Sequence, residues 1–128
     1  MNAPPTRILL LEDEEPIARA TQRLLERNGY SVTSVLNGVD GLEAASTGDY
    51  DLCLLNVILP GLDGVAIAKK LNDRKIELPL IFLTGTSIQE IEGIIKCLGL
   101  RVGYVEKPPS ITGLVGKIEE VLNGKGWM

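Results

Sequence analysis

Four short apolar runs divide the chain at nearly regular intervals. They are Ile8–Leu11, Leu52–Leu55, Leu80–Leu83 and the weaker Val102–Val105. Uninterrupted apolar runs of this length are typical of strands buried on both faces, as in a parallel sheet. A further segment, Ser31–Val35, alternates apolar and polar residues as an edge strand does. The pattern therefore predicts five strands.

Helical periodicity separates these strands and follows the last one. It predicts helices over residues 15–28, from a capping Asn37 to Gly48, over residues 64–73, from a capping box at Ser87, and from Ser110 onward. The residues predicted to face the sheet are Ile17, Ala20, Thr21, Leu24 and Leu25, then Val39, Leu42 and Ala45, then Ile67, Ala68 and Leu71, then Ile88, Ile91, Ile94, Ile95 and Leu98, and finally Leu114, Val115, Ile118, Val121 and Leu122. Strands that alternate strictly with helices predict an α/β three-layer sandwich of the (βα)5 type.

Composition narrows the functional classes. The 128 residues suit one domain, residues 1–128, and we expect no output domain within them. A net charge of −4 lacks the basic surplus of a phosphate-backbone binder, so we expect no nucleic-acid partner. No apolar run is long enough to span a bilayer, which predicts a cytoplasmic protein with no membrane contact. Cys53 and Cys97 are predicted to be buried free thiols, since no histidine accompanies them.

Polar side chains follow the predicted strands at their carboxyl ends. Glu12 and Asp13 follow the first strand, Asn56 the third, Thr84 the fourth and Lys107 the fifth. Ligands of open α/β sheets bind beyond the carboxyl ends of the strands. We therefore expect two carboxylates, an amide, a hydroxyl and an ammonium to meet at one edge.

Four motifs on these strand ends resemble the signatures of bacterial response-regulator receiver domains. They are Leu11–Glu14, Leu55–Gly64, Leu83–Gly85 and Tyr104–Pro108, and the likeness covers about residues 6 to 123. The resemblance implies a flavodoxin-like sheet with strand order 2-1-3-4-5. It also implies a receiver module of a two-component phosphorelay, which is a signalling domain and not an enzyme.

The resemblance assigns a role to each polar residue. In the family, an acidic pair and a third-strand aspartate hold Mg²⁺, and that aspartate accepts a phosphoryl group from a phosphohistidine. The implied metal ligands are Glu12, Asp13, Asn56 and the backbone carbonyl of Ile58. The implied counter-charge to the phosphoryl group is Lys107. Thr84 is implied to supply the switch hydroxyl, and Tyr104 is implied to be the rotating switch aromatic. The implied partners are a histidine kinase or phosphotransfer protein in trans, and a downstream protein on the face of the fourth helix, fifth strand and fifth helix.

Asn56 departs from the family at the acceptor position. A carboxamide oxygen is a poor nucleophile compared with a carboxylate, so the ordinary phosphotransfer is not expected there. The missing negative charge also predicts that Mg²⁺ binds weakly or not at all. The sequence leaves open whether this is a laboratory exchange or a naturally atypical receiver, and whether the domain acts as a phosphorylation-independent interaction module.

Two other functions on similar sheets fit less well. A haloacid-dehalogenase type of enzyme needs Asp-x-Asp-x-Thr after the first strand, where this chain has Glu12-Asp13-Glu14-Glu15-Pro16. A flavodoxin needs a phosphate loop rich in Ser, Thr and Gly at the same place.

The resemblance also gives geometric expectations. The Lys107–Pro108 peptide is expected to be cis, which turns the ammonium toward Asn56. Without a phosphoryl group, Thr84 is expected to lie away from Asn56. Tyr104 is expected to turn outward, with its ring against the fourth helix and its hydroxyl near solvent. Asp63 is expected to cap the third helix rather than bind metal.

Overall fold

The computed structural model describes residues 4–85, 92–93, 96, 102–107 and 110–124. Five parallel strands form one sheet in the order 2-1-3-4-5, which confirms the predicted fold class. The strands are β1 (Arg7–Leu11), β2 (Ser31–Val35), β3 (Leu52–Asn56), β4 (Leu80–Thr84) and β5 (Gly103–Glu106).

The helices described are α1 (Glu15–Arg27), α2 (Gly38–Ala45), α3 (Gly64–Asp73) and α4 (Ile111–Leu122). The last of these is the fifth predicted helix. Most of the fourth predicted helix, including Ser87 and its apolar stripe, lies outside the described residues. Within that stretch, Glu92, Gly93 and Lys96 are described and are helical.

The sheet separates two apolar cores. The core on one face includes Leu9, Leu11, Cys53, Leu55 and Phe82 from the strands, packed against α2 and α3. The core on the other face includes Ile8, Leu10, Leu52, Leu54 and Ile81, packed against α1 and α4. The strands β1, β3 and β4 are thus buried on both faces, which is why each of them is an uninterrupted apolar run in the sequence.

Side-chain caps begin three of the four helices described. Asn37, Asp63 and Ser110 each accept a hydrogen bond from the backbone N–H three residues later, at 2.9, 2.8 and 3.0 Å. Such a bond satisfies a backbone donor that has no partner within the helix. The predicted role of Asp63 as a helix cap is confirmed.

The stripe predicted for α1 is partly wrong. Ile17 and Leu24 are 43% and 41% exposed, and the buried residues of this helix are Ala18 and Leu25. The helix turns the polar Gln22 toward the sheet, where its amide donates to a main-chain carbonyl of β2 at 3.1 Å. Hydrogen bonding therefore decides which side of α1 meets β2. The predicted inward positions that are exposed are Ile17, Ala20 and Leu24.

Two further inward predictions fail at helix ends. Val39 is 59% exposed, whereas Leu42 and Ala45 are buried as predicted. Leu122, the last residue of α4, is 37% exposed. Both residues lie in a terminal turn of their helix, where the helical period alone does not decide burial.

The thiol of Cys53 is free and buried, as predicted. Burial raises its pKa, because a low-polarity environment disfavours the thiolate. Cys97 lies outside the described residues.

Candidate functional site

Every buried polar side chain in the described part of the chain lies at one edge of the sheet. These residues are Glu12, Asn56 and Thr84, which are 1%, 4% and 2% exposed. Glu12 directly follows β1, and the other two end β3 and β4. Parallel neighbouring strands bring their carboxyl ends together, so the three side chains share one edge.

The Glu12 carboxylate is buried with only partial compensation. The Lys107 ammonium lies 3.5 Å from its Oε1 atom. Among the described residues, neither Glu12 oxygen has a hydrogen-bond partner. Burial raises the pKa of Glu12 and outweighs the opposite effect of Lys107, while Asp13 raises it further. The site therefore holds an acidic group that the protein alone solvates poorly.

Asn56 forms a hydrogen bond with one of the two acidic residues. Its Nδ2 donates to Asp13 Oδ1 at 3.2 Å, and its own Oδ1 is buried with no hydrogen-bond partner in the described part of the chain. The first residue of α3, Gly64, packs against the main chain of Asn56. A Cβ on Gly64 would lie 2.2 Å from the Asn56 carbonyl oxygen. Only glycine allows α3 to begin this close to the end of β3.

The donor set is chemically suited to a hard cation. The Glu12 carboxylate oxygens and Asn56 Oδ1 are buried and have no hydrogen-bond partners in the described chain, and Asp13 is an exposed carboxylate. Ile58 lies in the loop that follows β3, and the approach of its carbonyl to the site stays a prediction. Mg²⁺ prefers oxygen ligands of this kind and keeps several waters. Within the described residues, no three His, Cys, Asp or Glu side chains form a metal cluster. The acidic contribution is thus limited to the pair Glu12 and Asp13.

The ends of β4 and β5 are joined at this edge. The Lys107 N–H donates to the Thr84 carbonyl at 2.8 Å, and the Lys107 ammonium reaches inward to Glu12. Pro108 lies outside the described residues, so the cis peptide stays a prediction. The distance of the Thr84 hydroxyl from Asn56 also stays a prediction.

Tyr104 lies on edge strand β5 and is half-buried. Its hydroxyl donates to the Glu92 carboxylate at 2.9 Å, and the Lys117 ammonium of α4 lies 5.7 Å from its ring centroid. The bond to Glu92 is the main cause of the raised pKa of Tyr104. Sequence reasoning missed both partners, because each reads as an ordinary charged residue in a helical pattern.

The match to a known family is extensive. Residues 8–119 fit the sequence pattern described as the response regulator receiver domain. The chain belongs to this family. Solved receiver structures agree: a CheY-like receiver from Methanospirillum hungatei aligns with a TM-score of 0.83 at 27% identity, covering 94% of this chain and 95% of that one. A receiver domain from Francisella aligns with a TM-score of 0.83 at 27% identity, covering 93% of this chain and 98% of that one.

The curated relatives of this receiver are longer proteins. It is similar to the transcriptional regulatory protein YkoG of Bacillus subtilis, at 44% identity over 93% of this chain and 52% of that protein. It is also similar to the transcriptional regulatory protein CseB of Streptomyces avermitilis, at 39% identity over 97% of this chain and 52% of that protein. The chain spans about half the length of these relatives.

These relatives overturn the expectation of no nucleic-acid partner. That expectation used the net charge of these 128 residues alone. The relatives are named as transcriptional regulatory proteins, and this receiver covers only half of each. The charge of a receiver therefore does not decide whether a protein that contains it binds nucleic acid.

None of the helices in the described ranges has the length and apolarity to cross a membrane.

Proposed function

We propose that Asn56 stands where receiver domains accept a phosphoryl group, and that this receiver takes none there. One observation carries the proposal: Asn56 ends the central strand β3 and lies beside Asp13 at an edge that also holds Glu12 and Lys107. The charged side chains at this edge, Glu12, Asp13 and Lys107, thus share it with the neutral carboxamide of Asn56.

The chemistry follows from the atoms of that side chain. A phosphoryl acceptor must offer a nucleophilic oxygen, and a carboxylate does so with full negative charge. The Asn56 carboxamide is neutral, and its Nδ2 is committed as a donor to Asp13. The same substitution leaves two carboxylates to attract a cation, with the Lys107 ammonium opposing them. Receiver domains generally bind Mg²⁺ at this edge, and we propose that it binds here only weakly.

Mass spectrometry of the intact protein tests this proposal. With acetyl phosphate and Mg²⁺, the chain should keep its mass, whereas Asn56→Asp should gain one phosphoryl group. Asn72→Asp is the matched control, because it makes the same chemical change on the exposed face of α3. It should gain nothing. Stoichiometric labelling of the unaltered chain, or none of Asn56→Asp, would contradict the proposal.

A second candidate is a receiver that signals without phosphorylation as a protein-interaction module. Its support is the same Asn56 within a site whose other groups remain in place. Its expected signature is an amide NMR spectrum that acetyl phosphate and Mg²⁺ leave unchanged, in a chain that still binds its protein partner. Loss of that binding in the unaltered chain, with recovery in phosphorylated Asn56→Asp, would exclude it.

We further infer a role in transcriptional regulation from the names of the relatives. The test is to measure transcript levels in cells that carry Asn56→Asp, with Asn72→Asp as the control. The first substitution should change the transcripts of a limited set of genes and the second should not. Identical transcript profiles for both would count against this role.

A further inference from the structure

Two charged residues from different segments hold the Tyr104 side chain. Glu92 accepts the hydroxyl hydrogen bond at 2.9 Å, and Lys117 lies over the ring at 5.7 Å from its centroid. Glu92 belongs to the stretch predicted as the fourth helix, and Lys117 belongs to α4. We call Glu92, Tyr104 and Lys117 the Tyr104 clamp. It fixes both the tip and the face of the ring.

The sheet register shows where the ring would go if it left the clamp. Tyr104 pairs with Phe82 and Glu106 pairs with Thr84 across the parallel strands β4 and β5. Alternate residues of a strand point to the same face, so Tyr104 and Thr84 share a sheet face as diagonal neighbours. A ring turned toward Thr84 cannot keep a 2.9 Å bond to Glu92. The two positions of the ring therefore exclude each other.

We propose that Glu92 and Lys117 are positioning residues that hold Tyr104 in the resting arrangement of this receiver and oppose its movement toward Thr84. This inference rests on the proposed function, in which the edge around Asn56 has no phosphoryl group to favour the other arrangement. A two-state element responds only to differences in free energy between its states. In the proposal both contacts are made only while the ring stays in its present position, so each one contributes to that difference.

The two contacts should contribute unequally. Hydrogen bonds to an ionised acceptor are about twice as strong as neutral ones, whereas a partly exposed cation over a tyrosine ring contributes less. The raised pKa of Tyr104 agrees with a proton held between the phenol and Glu92. We expect loss of Glu92 to shift the equilibrium about fivefold and loss of Lys117 about twofold.

The first measurement uses the unaltered Asn56 chain. Nuclear Overhauser contacts should connect the Tyr104 ring to the Lys117 methylenes, and in Glu92→Ala they should weaken in favour of contacts to the Thr84 methyl group. Glu92→Gln keeps an acceptor oxygen and should retain most of the original pattern. Glu119→Gln removes an exposed charge from the same helix as Lys117 and should change nothing. An unchanged ring position in Glu92→Ala would overturn the proposal.

The second measurement uses the Asn56→Asp background with beryllofluoride and Mg²⁺ as a phosphoryl mimic. Glu92→Ala should tighten beryllofluoride binding about fivefold and Lys117→Met about twofold, with Glu119→Gln unchanged. Equal affinity in all four proteins would overturn the clamp. If Asn56→Asp binds no beryllofluoride at all, the proposed function is wrong, and the ring contacts of the unaltered chain still decide whether the clamp exists.

Discussion

An ion pair lies at each end of the strands in the described chain, and the two pairs have opposite properties. At the amino edge, Asp51 lies 3.4 Å from Arg7, both side chains are about half-exposed, and Asp51 also accepts from the Arg7 backbone N–H at 2.8 Å. At the carboxyl edge, Glu12 is buried and Lys107 lies 3.5 Å away. The pKa of Asp51 is lowered, chiefly by its hydrogen bonds to Arg7, whereas burial raises the pKa of Glu12.

The difference separates an ion pair that stabilises the fold from one whose carboxylate is costly to bury. Water and hydrogen bonds solvate both charges at the amino edge, so ionisation of Asp51 favours the folded state. At the carboxyl edge, folding removes the Glu12 carboxylate from water, and the protein replaces only part of the lost hydration because neither oxygen gains a hydrogen-bond partner in the described chain. A protein that kept this edge for stability alone would gain by filling it with apolar side chains. The two Glu12 oxygens, which have no hydrogen-bond partner in the described chain, are the atoms that a bound cation would satisfy.

The largest effect should follow from removing the cation at the carboxyl edge. Lys107→Met leaves Glu12 buried without a counter-charge, so the free energy of unfolding at pH 7 in EDTA should fall by about 3 kcal/mol. The folded-state pKa of Glu12 should rise further, so this loss is full at neutral pH and disappears as the pH falls below the ordinary glutamate range. Urea unfolding across this pH range measures it.

The double variant Glu12→Gln, Lys107→Met is the control for that experiment. It removes both charges and should recover most of the lost stability. A double variant as unstable as Lys107→Met alone would show that Lys107 acts through packing and not through Glu12.

A smaller effect should follow from adding a charge to the same edge. Asn56→Asp places a third carboxylate next to Asp13, where Asn56 Nδ2 now donates a hydrogen bond. In EDTA the free energy of unfolding should fall by about 2 kcal/mol. Mg²⁺ at about a hundred times its Kd should restore about 2.7 kcal/mol. Thermal unfolding with and without Mg²⁺ measures both, and an Asn56→Asp protein that is equally stable in EDTA would contradict the proposed crowding.

The smallest effect should appear at the amino edge. Asp51→Asn keeps an acceptor for the Arg7 backbone N–H but loses the ion pair, and exposure limits the cost to about 0.5 kcal/mol at pH 7. The folded-state pKa of Asp51 lies below its unfolded value. Its contribution is therefore present above the unfolded pKa and is lost as the pH falls through the folded one. A pH series of urea unfolding should show the two proteins converging at low pH, and a cost that grows in acid would refute this interpretation.

Much of the scaffold could be predicted from local patterns. Four apolar runs predicted four of the strands, because strands buried on both faces have few polar positions to interrupt them, and alternation of apolar and polar residues predicted β2. The caps Asn37, Asp63 and Ser110 gave the starts of three helices, because their hydrogen bonds are made within three residues. The strand order came from the family resemblance.

The remainder depends on contacts between distant segments. Gln22 faces the sheet because its amide finds a partner on β2, and a hydrophobic pattern counts glutamine only as polar. The burial of Glu12 results from the strands and loops around it, whereas its position after β1 was evident from the sequence. The Tyr104 bond to Glu92 joins residues twelve positions apart, and no spacing in either segment indicates it.

The contact between Gly64 and the Asn56 carbonyl bears on what the substitution Asn56→Asp would leave unchanged in the main chain. The requirement for glycine there is steric and involves only main-chain atoms of residue 56, so it is the same whichever side chain that residue carries. The close approach of α3 to the end of β3 therefore does not depend on the side chain of residue 56. Under the proposed function, Asn56→Asp would place a carboxylate at the end of β3 without any change in this backbone contact.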